Sequence, residues 1–569
     1  MKYYQLDGSC NNPLHPRWGS ANRPYKRLVA ANYADDVSEP AHAQSGSSLP
    51  NARKLSMNLF GETEIEHPRN TLVSMQFGQF VAHDLSFTSG ADGIECCVDG
   101  KMVPKQLAFS RCFPIEVPED DPVMSEEGIE CMNLVRTQTT LEDPCVETTS
   151  SAAQQLSSVT AFLDLSVVYG NSLEQANSLR VRSTGQMAIE VRQGTQWPPN
   201  HPNGSSTCQL ENPNEPCYLT GDVRSNQSPH LTLLHRAFLL EHNRLATVLS
   251  ELNPTWDDER LFQEARRINI AQYQSIVYDE WLPIYLGREN MQAAGVLPSL
   301  QTPDVVRDYD PEVDPTVSNA FATAAFRFFH NLIAGHLDLV AESMQPTGAI
   351  RLSDWIDKPS VLEQGDNFQA LTRGMATQPH DRANRHLSPE VKHFLFRHDR
   401  PLGVDLKAID IQRARDHGLA NYNDFRAHCG LPRVSWADFD DLLRPTAARH
   451  LPDQYGAVED VELSVAGALE RPTGDGMAGE TFSCILLDQF RRTRVGDRFF
   501  FENGNTFTSR QLFELRKASM ARVLCDNTEG LAEIQQKAFF LVSEQNPVEP
   551  CAQLPEVNLI RWRSTKPDA

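Results

Sequence analysis

The sequence predicts a mainly α-helical protein, built as one large helical domain with long loops and little β structure. Helical periodicity is strong. In Leu231–Leu252, for example, Leu234, Phe238, Leu245 and Leu249 share one face. Alternating strand patterns are scarce. A chain of 569 residues has the length of three or four domains at about 150 residues each, but no flexible linker, long charge run or internal repeat divides it.

The predicted elements follow in chain order. Residues 1–70 are loop-rich and show little periodicity, and residues 71–569 hold the helical core and the C-terminal part. The helices predicted there are Thr71–Phe87, Leu231–Leu252, Asp257–Leu286, Val317–Leu337 and Ile409–His428. The third begins with acidic residues and is expected to end at Pro283 and Gly287, because these residue types terminate helices.

Charge and hydropathy exclude several classes of protein. The formal net charge of −23 argues against nucleic acid or an anionic membrane surface as a partner, because both would be repelled. No apolar run approaches the roughly 20 residues that span a bilayer. The first residues, MKYYQLDGSCNN, lack the apolar stretch of a signal peptide.

Twelve cysteines indicate an oxidising compartment. None lies in a CxxC pair typical of zinc sites, and an even number scattered through a large acidic chain favours disulfides. Asn203 begins a glycosylation sequon in a Pro- and Gly-rich loop. Asn226 begins a second, but Pro229 follows it and its surroundings look buried, so no glycan is expected there. We therefore predict a secreted protein whose own signal is absent from this sequence.

Thr71–Phe87 carries the first candidate site. Gln79 and His83 are four residues apart, so they share a helix face, whereas Asp84 points about 100° round the axis. This arrangement suits proton transfer on one side and cation binding on the other. A histidine on an apolar helix is more often a hydrogen-bonded core residue, so this stretch alone leaves both interpretations open.

The second candidate lies at Thr323–Leu332. His330 is surrounded by phenylalanines, and Arg327 lies three residues before it on the same face. One interpretation is a core histidine. The other is an axial ligand of a haem iron, with aromatic rings packed against the porphyrin.

The third candidate is the sequence DLKAIDIQRARDHG. Asp410 lies between two isoleucines, where an unpaired carboxylate would be unfavourable. The second ring nitrogen of an axial histidine is a suitable partner. Arg413 could pair with a haem propionate, although Arg413, Arg415 and Asp416 also fit a solvated or mutually paired helix face.

A cation site forms the fourth candidate. Thr160, Asp164 and Ser166 offer oxygen ligands at alternate positions, and Phe162 could add a carbonyl. With Asp84 they make a reasonable Ca²⁺ ligand set. Without Asp84, an ordinary capped turn explains the segment equally well.

Together these segments resemble a known family. The motifs GQFVAHD, TAFLDLSVVYG, LLEHNRLA, AAFRFFHNLI and IDIQRARDHGL occur in the order found in the animal haem peroxidases. The similarity is greatest to secreted arthropod members such as chorion and salivary peroxidases. It covers nearly the whole chain, from Gly8–Asn12 to Arg516–Thr528, so residues 1–569 are interpreted as one animal haem peroxidase domain.

The resemblance implies a role for each candidate. It makes His83 the acid–base histidine, Gln79 its partner and Arg224 the catalytic arginine. His330 would bind the iron, Asp410 would hydrogen-bond His330, and Arg327 and Arg413 would lie beside the haem. The ligands of one calcium ion would be Asp84, Thr160, Phe162, Asp164 and Ser166. The implied reaction uses hydrogen peroxide to oxidise phenolic or catechol donors through an iron-oxo intermediate, for example in tyrosine crosslinking or catecholamine oxidation.

The sequence departs from mammalian members at the haem. Their ester-forming acids correspond to Ala82 and Gln227, and a sulfonium-forming methionine corresponds to Ser228, so we expect haem b without covalent links. Asp410 stands where those members have Asn. Both differences should stabilise ferric iron, which argues against chloride oxidation. The family usually has a cysteine upstream of Cys10, so a mature or truncated form is expected.

Parts of the sequence are compatible with other functions. An adhesive or matrix-binding protein on the same scaffold often carries RGD or KGD, and neither occurs. Cyclooxygenase-like chemistry would need a membrane-binding helix and a radical-forming tyrosine, for which Tyr422 is a poor substitute. Catalase-like removal of peroxide could use the same residues and stays open. The sequence does not determine the donor or the oligomeric state.

Overall fold

A computed structural model of the protein describes residues 2–88, 90, 93–104, 107, 109–142, 152–297 and 305–564. The fold is mainly helical, as predicted. The α-helices are α1 Ala52–Leu59, α2 Leu72–Leu85, α3 Ser166–Tyr169, α4 Leu173–Ser178, α5 Pro229–Leu252, α6 Asp258–Ser275, α7 Leu282–Leu286, α8 Arg288–Ala293, α9 Asn319–Thr323, α10 Asn367–Thr377, α11 Pro389–Lys392, α12 Leu406–Asp416, α13 Tyr422–His428, α14 Phe439–Leu442, α15 Pro445–Gln454, α16 Leu463–Leu469, α17 Glu480–Val495, α18 Ser509–Leu515 and α19 Met520–Asn527.

The β structure consists of short antiparallel pairs. Each pair has two strands, and the pairs are β1–β7, β2–β12, β3–β4, β5–β6, β8–β9, β10–β11 and β13–β14. The strands are β1 Arg23–Pro24, β2 Glu66–Thr71, β3 Cys97–Val98, β4 Lys101–Met102, β5 Ile115–Glu116, β6 Cys131–Met132, β7 Leu156–Ser157, β8 Glu190–Arg192, β9 Thr195–Trp197, β10 His336–Val340, β11 Pro346–Arg351, β12 Pro379–Asp381, β13 Glu533–Gln535 and β14 Val548–Pro550. Within the described ranges no helix is long and apolar enough to cross a membrane.

Helix α5 lies at the centre of the core. It begins at Pro229 because the Ser228 hydroxyl accepts a hydrogen bond from the backbone N–H of Leu231 and caps the first turn. It contacts α2, α6, α10 and α19. The rings of Phe80 on α2 and Phe238 on α5 stack with their centres 5.2 Å apart, which joins the two helices through an aromatic layer.

Two predicted helices are divided in the structure. Val317–Leu337 contains only the short α9, a non-helical Ala324 and a 3₁₀ segment Ala325–Leu332, and its last residues begin strand β10. The prediction was wrong there because the apolar spacing that suits a helix suits a 3₁₀ segment equally. Ile409–His428 is split into α12 and α13, since Gly418 adopts the left-handed region with φ of 56°.

The other predicted helices have nearly the expected bounds. Asp257–Leu286 comprises α6, a π-helical turn Ile276–Trp281 and α7, so Pro283 lies in the first turn of α7 and Gly287 ends it. Proline is accommodated at the end of the π-helical turn, where the N–H of Leu282 still bonds to the carbonyl of Val277, and the proline itself has no N–H that needs a partner. In the loop-rich N-terminal part, α1 had not been expected.

Gly78 brings α2 against the 3₁₀ segment. A Cβ atom built at Gly78 would lie 2.9 Å from the ring of Phe329 and 3.0 Å from that of Trp281. Trp281 is itself fixed, because its indole N–H donates to the carbonyl of Ser74 on α2 at 2.8 Å. No larger residue fits at this contact without displacing an aromatic ring.

A buried ion-pair network positions α12. The Asp405 carboxylate accepts hydrogen bonds from the backbone N–H groups of Lys407 and Ala408 and caps the helix. Arg53 of α1 donates to Asp405 at 2.7 Å and to Asp121 at 2.7 Å, and all three side chains are almost fully buried. The network ties α1 to the start of the helix that carries Asp410.

Five disulfides are present among the described residues, as expected from the cysteine content. They join Cys96 to Cys112, Cys97 to Cys131, Cys208 to Cys217, Cys429 to Cys484 and Cys525 to Cys551. Cys10 is an exposed thiol, and Cys145 lies outside the described residues.

The Arg53→Met substitution should destabilise the protein strongly. It leaves the carboxylates of Asp121 and Asp405 buried without their cation, which typically costs about 3–5 kcal/mol. We expect a lower urea midpoint for the whole chain, monitored by far-UV circular dichroism. The control is Lys54→Met on the same helix, because Lys54 is exposed and its ion pair with Asp120 spans 3.8 Å. Equal losses in both variants would contradict the network's role.

Candidate active site

An apolar cavity of about 270 Å³ lies between α2 and the 3₁₀ segment Ala325–Leu332. Phe326, Phe329, Ile333 and Leu337 contribute to its wall. The cavity is also lined by five of the residues predicted from the sequence: Gln79, His83, Arg224, Arg327 and His330. The fold therefore brings residues from three distant segments to one concave surface.

One ring nitrogen of His330 is hydrogen-bonded to a buried carboxylate. Its Nδ1 lies 2.9 Å from one oxygen of Asp410, and Arg327 donates to the other oxygen at 2.9 Å. Burial alone would raise the pKa of Asp410, but the interaction with His330 and the charges of Arg327 and Lys407 outweigh burial and lower it. The carboxylate therefore stays ionised and orients the ring, which leaves Nε2 of His330 for the cavity.

Arg413 lies outside the cavity wall. Its Nη1 donates to the carbonyl of Val135 at 2.8 Å, to the hydroxyl of Thr137 at 3.0 Å and to the carboxylate of Asp416 at 2.8 Å. This nitrogen is fully used within the protein. Only the remaining N–H groups of Arg413 could serve the propionate contact predicted from the sequence.

His83 is a buried histidine on the cavity wall. The residue is 8% exposed, lines the cavity, and its Nδ1 has no partner among the described residues. Burial, and then the positive charge of Arg224, lower the pKa of His83 well below its ordinary value. The ring is therefore neutral at pH 7 and can accept a proton.

Three glutamines form a hydrogen-bonded row along the cavity wall. Gln76 donates to the side-chain oxygen of Gln79 at 2.8 Å, and Gln79 donates to that of Gln227 at 3.0 Å. The sequence reasoning missed Gln76, although its spacing of three residues from Gln79 indicates a shared helix face. It also gave Gln227 no hydrogen-bonding role, because a contact between residues 148 positions apart leaves no local signal.

Arg224 approaches His83 from the segment before α5. It donates to the carbonyls of His83 and Ser86, each at 3.0 Å, and its guanidinium centre lies 4.1 Å from the ring centre of Phe87. Asp222 forms an ion pair with it. Asp222 was not singled out in the sequence.

The predicted cation site also comes together. Asp84 and Asp164 are both fully buried. Asp84 accepts hydrogen bonds from the Ser166 hydroxyl at 2.9 Å and from the backbone N–H of Leu165 at 3.2 Å. Ser166 N–H donates to one oxygen of Asp164 at 3.1 Å, and the other oxygen of Asp164 has no partner among the described residues.

The backbone is unusual at this loop. Leu165 has φ of 56°, in the left-handed region that non-glycine residues seldom adopt. Burial raises the pKa of Asp84 to about 7, and burial followed by the charge of Asp84 raises the pKa of Asp164 well above its ordinary value. Two buried carboxylates whose pKa values are raised in this way require a cation or protons. A strained loop that persists around them is typical of a functional site.

Three further predicted positions are now located. Asn203 is exposed, whereas Asn226 is 2% exposed and its amide bonds to both backbone groups of Tyr218. The second sequon is thus inaccessible, as expected. Tyr422 is buried, donates to Glu470 at 2.5 Å and does not line the cavity, which agrees with its dismissal as a radical site.

Comparison with known proteins identifies the family. The family model described as "Animal haem peroxidase" matches residues 3–539. The chain belongs to the animal haem peroxidase family. It is 47% identical over 574 residues to "Peroxidase" of Drosophila melanogaster, covering 99% of this chain and 83% of that protein. Identity to "Chorion peroxidase" of the same species is 37% over 584 residues, covering 99% of this chain and 71% of that protein.

A solved structure shows the same fold. Peroxidase A from Dictyostelium discoideum is 29% identical, with a TM-score of 0.79 and coverage of 95% of this chain and 99% of that chain. The resemblance to animal haem peroxidases, and to arthropod members in particular, is confirmed. The protein is a haem-dependent peroxidase and an oxidoreductase.

The cavity of this peroxidase fits haem. His330 offers the cavity a ring nitrogen while its other nitrogen is bound to Asp410, which is the arrangement expected of an axial histidine ligand. Aromatic residues such as Phe326 and Phe329 suit the faces of a porphyrin. The His83 side chain lines the same cavity and is placed to meet a ligand there.

The residues around Asp84 likewise fit Ca²⁺. The described residues contain no group of three or more His, Cys, Asp or Glu side chains that could hold a metal. Two carboxylates supplemented by hydroxyl and carbonyl oxygens suit a hard cation such as Ca²⁺, which takes oxygen ligands of mixed type. Thr160, Phe162 and Ser166 could supply those oxygens.

We expect Ca²⁺ to stabilise the peroxidase through this site. At about 100 times Kd, a ligand that binds only the folded state adds about 2.7 kcal/mol to the free energy of unfolding. The measurement is the urea midpoint in Ca²⁺ and in EGTA. Asp164→Asn should abolish the difference, whereas the control Asp338→Asn, at a half-buried acid elsewhere, should retain it. A midpoint that EGTA does not change would exclude the site.

Proposed function

We propose that the protein uses hydrogen peroxide to oxidise small phenolic or catechol donors in an extracellular setting. The observation that carries this proposal is that two histidines, His83 and His330, line one apolar cavity and differ in their hydrogen bonding and surroundings. His83 is neutral, because burial lowers its pKa, and His330 is hydrogen-bonded to Asp410. Bound haem would supply the redox-active iron for the reduction of peroxide.

His83 serves as the proton carrier in this proposal. A neutral imidazole accepts the proton from the inner oxygen of peroxide and returns it to the outer oxygen as the O–O bond breaks. Burial keeps the ring neutral before the reaction, so a proton acceptor is present at pH 7. Gln79, whose amide is hydrogen-bonded to Gln76 and Gln227, lines the same cavity as His83.

Arg224 stabilises the negative charge that develops as the O–O bond breaks. Preorganised donors are effective in such a role because they need no reorientation during the reaction. The hydrogen bonds of Arg224 to two backbone carbonyls hold it in place. On the opposite side, Asp410 orients His330 and makes the ring a stronger donor to a metal, while Arg327 shares the carboxylate and moderates this effect.

The choice of donor follows from the cavity wall. Aromatic and aliphatic side chains make up most of it, and both of its arginines are paired with carboxylates. A neutral phenol or catechol suits such a surface. Oxidation of tyrosine side chains or of catecholamines is the kind of reaction that this chemistry would support.

Extracellular action is supported by the covalent structure. Five disulfides occur among the described residues, and such bonds persist in oxidising compartments. The exposed Asn203 is a suitable glycosylation site. A relative 37% identical bears the name "Chorion peroxidase", which also supports a role outside the cell.

The His83→Gln substitution tests the proposed reaction. It removes the proton carrier, so kcat/KM for hydrogen peroxide should fall by about 10²–10⁴-fold with a phenol or dopamine as donor. The haem absorption spectrum should be retained. His336→Gln, at an exposed histidine, is the control and should leave the rate unchanged.

Three results would contradict the proposal or part of it. One is an unchanged peroxide rate in His83→Gln. Another is a wild-type protein that consumes peroxide without oxidising any donor, which would indicate catalase-like removal. Chloride oxidation as fast as phenol oxidation would argue against the proposed donor class.

We also propose that the haem is held without covalent bonds. Ala82 has no functional group, the Gln227 oxygen already accepts from Gln79, and Ser228 caps α5. Acid–organic extraction should therefore release all haem from the purified protein, including protein exposed to peroxide beforehand. Haem that remains with a peptide after denaturation and proteolysis, detected by mass spectrometry, would disprove this.

A further inference from the structure

Asp222 is a buried carboxylate to which the reaction described above assigns no part. The residue is 5% exposed and stands two positions before Arg224. One carboxylate oxygen accepts from Arg224 Nε at 2.9 Å and from the Arg224 backbone N–H at 2.8 Å. The other accepts from Nη2 at 2.6 Å. The Asp222 carboxylate therefore accepts hydrogen bonds from both the backbone and the guanidinium of Arg224.

Within the part of the chain that the structure describes, these contacts leave one N–H of Arg224 without an acceptor. A guanidinium has five N–H bonds. The Nε bond goes to Asp222, the two Nη2 bonds go to Asp222 and the His83 carbonyl, and one Nη1 bond goes to the Ser86 carbonyl. Only the second Nη1 bond is unassigned. With the ring of Phe87 beneath it, the side chain has one orientation.

The pair also changes the charge of the cavity. Arg224 and Arg327 are the charged side chains other than histidine among the described residues that line it. Arg224 pairs with Asp222, and Arg327 pairs with Asp410. Burial would raise the pKa of Asp222, but the charge and hydrogen bonds of Arg224 lower it. Both arginines are therefore neutralised by ionised partners.

We propose that Asp222 is a positioning and specificity-determining residue: it aims the one free N–H of Arg224 and, by cancelling its charge, disfavours small anions in the cavity. The inference rests on the proposed function, in which peroxide and neutral donors enter this cavity. An unpaired cation in an enclosed apolar site would attract halides strongly, since low dielectric strengthens charge interactions. Hydrogen peroxide and phenols, being neutral at pH 7, gain no such advantage.

The test is the binding of fluoride to the ferric, haem-loaded protein, followed by its absorption spectrum at one fixed pH. Asp222→Asn keeps the shape of the side chain but leaves Arg224 as a net cation. The Kd for fluoride should fall about tenfold, which corresponds to about 1.4 kcal/mol. The Kd for a neutral phenol should change less than about twofold, and the peroxide rate should fall because Arg224 is held less firmly.

Three further variants exclude a merely structural explanation. Arg224→Gln combined with Asp222→Asn removes the unpaired cation, so the gain in fluoride affinity should disappear. Asp222→Glu retains the negative charge, so its fluoride affinity should stay close to that of the parent even where peroxide reacts more slowly. Glu462→Gln removes a carboxylate from another buried pair, with Arg415, outside the cavity and should leave fluoride binding unchanged.

The outcome separates the two proposals. Fluoride affinity that is unchanged or weaker in haem-loaded Asp222→Asn overturns the role of Asp222, whatever the peroxidase activity. Tighter fluoride binding that is lost in the double variant supports that role even where donors fail to be oxidised. Fluoride binding requires no turnover, so a failure of the proposed donor chemistry would be seen independently.

Discussion

His83 and Asp84 are consecutive residues of α2, so the burial of one determines where the other points. The carboxylate of Asp84 is held by donors from the loop at Leu165 and Ser166, and the imidazole of His83 projects about 100° round the helix into the cavity. The proposed acid–base group and the proposed cation site are therefore not independent. Whatever neutralises the buried pair Asp84 and Asp164 also fixes the rotation of the helix that presents His83.

How much could be predicted from the sequence depends on the distance between partners along the chain. Gln79, His83 and Asp84 could be placed correctly because helical spacing alone sets their directions. The pairing of His330 with Asp410 was expected because a buried carboxylate needs a partner. The contact of Arg53 with Asp405, 352 positions away, has no local signal. The breaks at Ala324 and Gly418 were missed, because apolar periodicity continues across a change of backbone conformation.

Pairing of opposite charges recurs at three buried carboxylates near the cavity. Asp410 has His330 and Arg327, Asp222 has Arg224, and Asp405 has Arg53. Buried pairs of this kind contribute little net stability compared with apolar packing, but removing one partner is strongly unfavourable. Their value here is geometric, because each holds one side chain in one orientation before any ligand enters.

The contact at Gly78 has a consequence for how the protein can diversify. The two walls that carry His83 and His330 meet there without space for even a methyl group. Trp281 also fixes this contact, because its indole N–H donates to the carbonyl of Ser74. A mutation that shifts these walls by a small distance would disturb this close contact, so the spacing between the two histidines is constrained. A change of donor preference is therefore expected at the rim of the cavity, where side chains can change size without disturbing the separation on which the proposed chemistry depends.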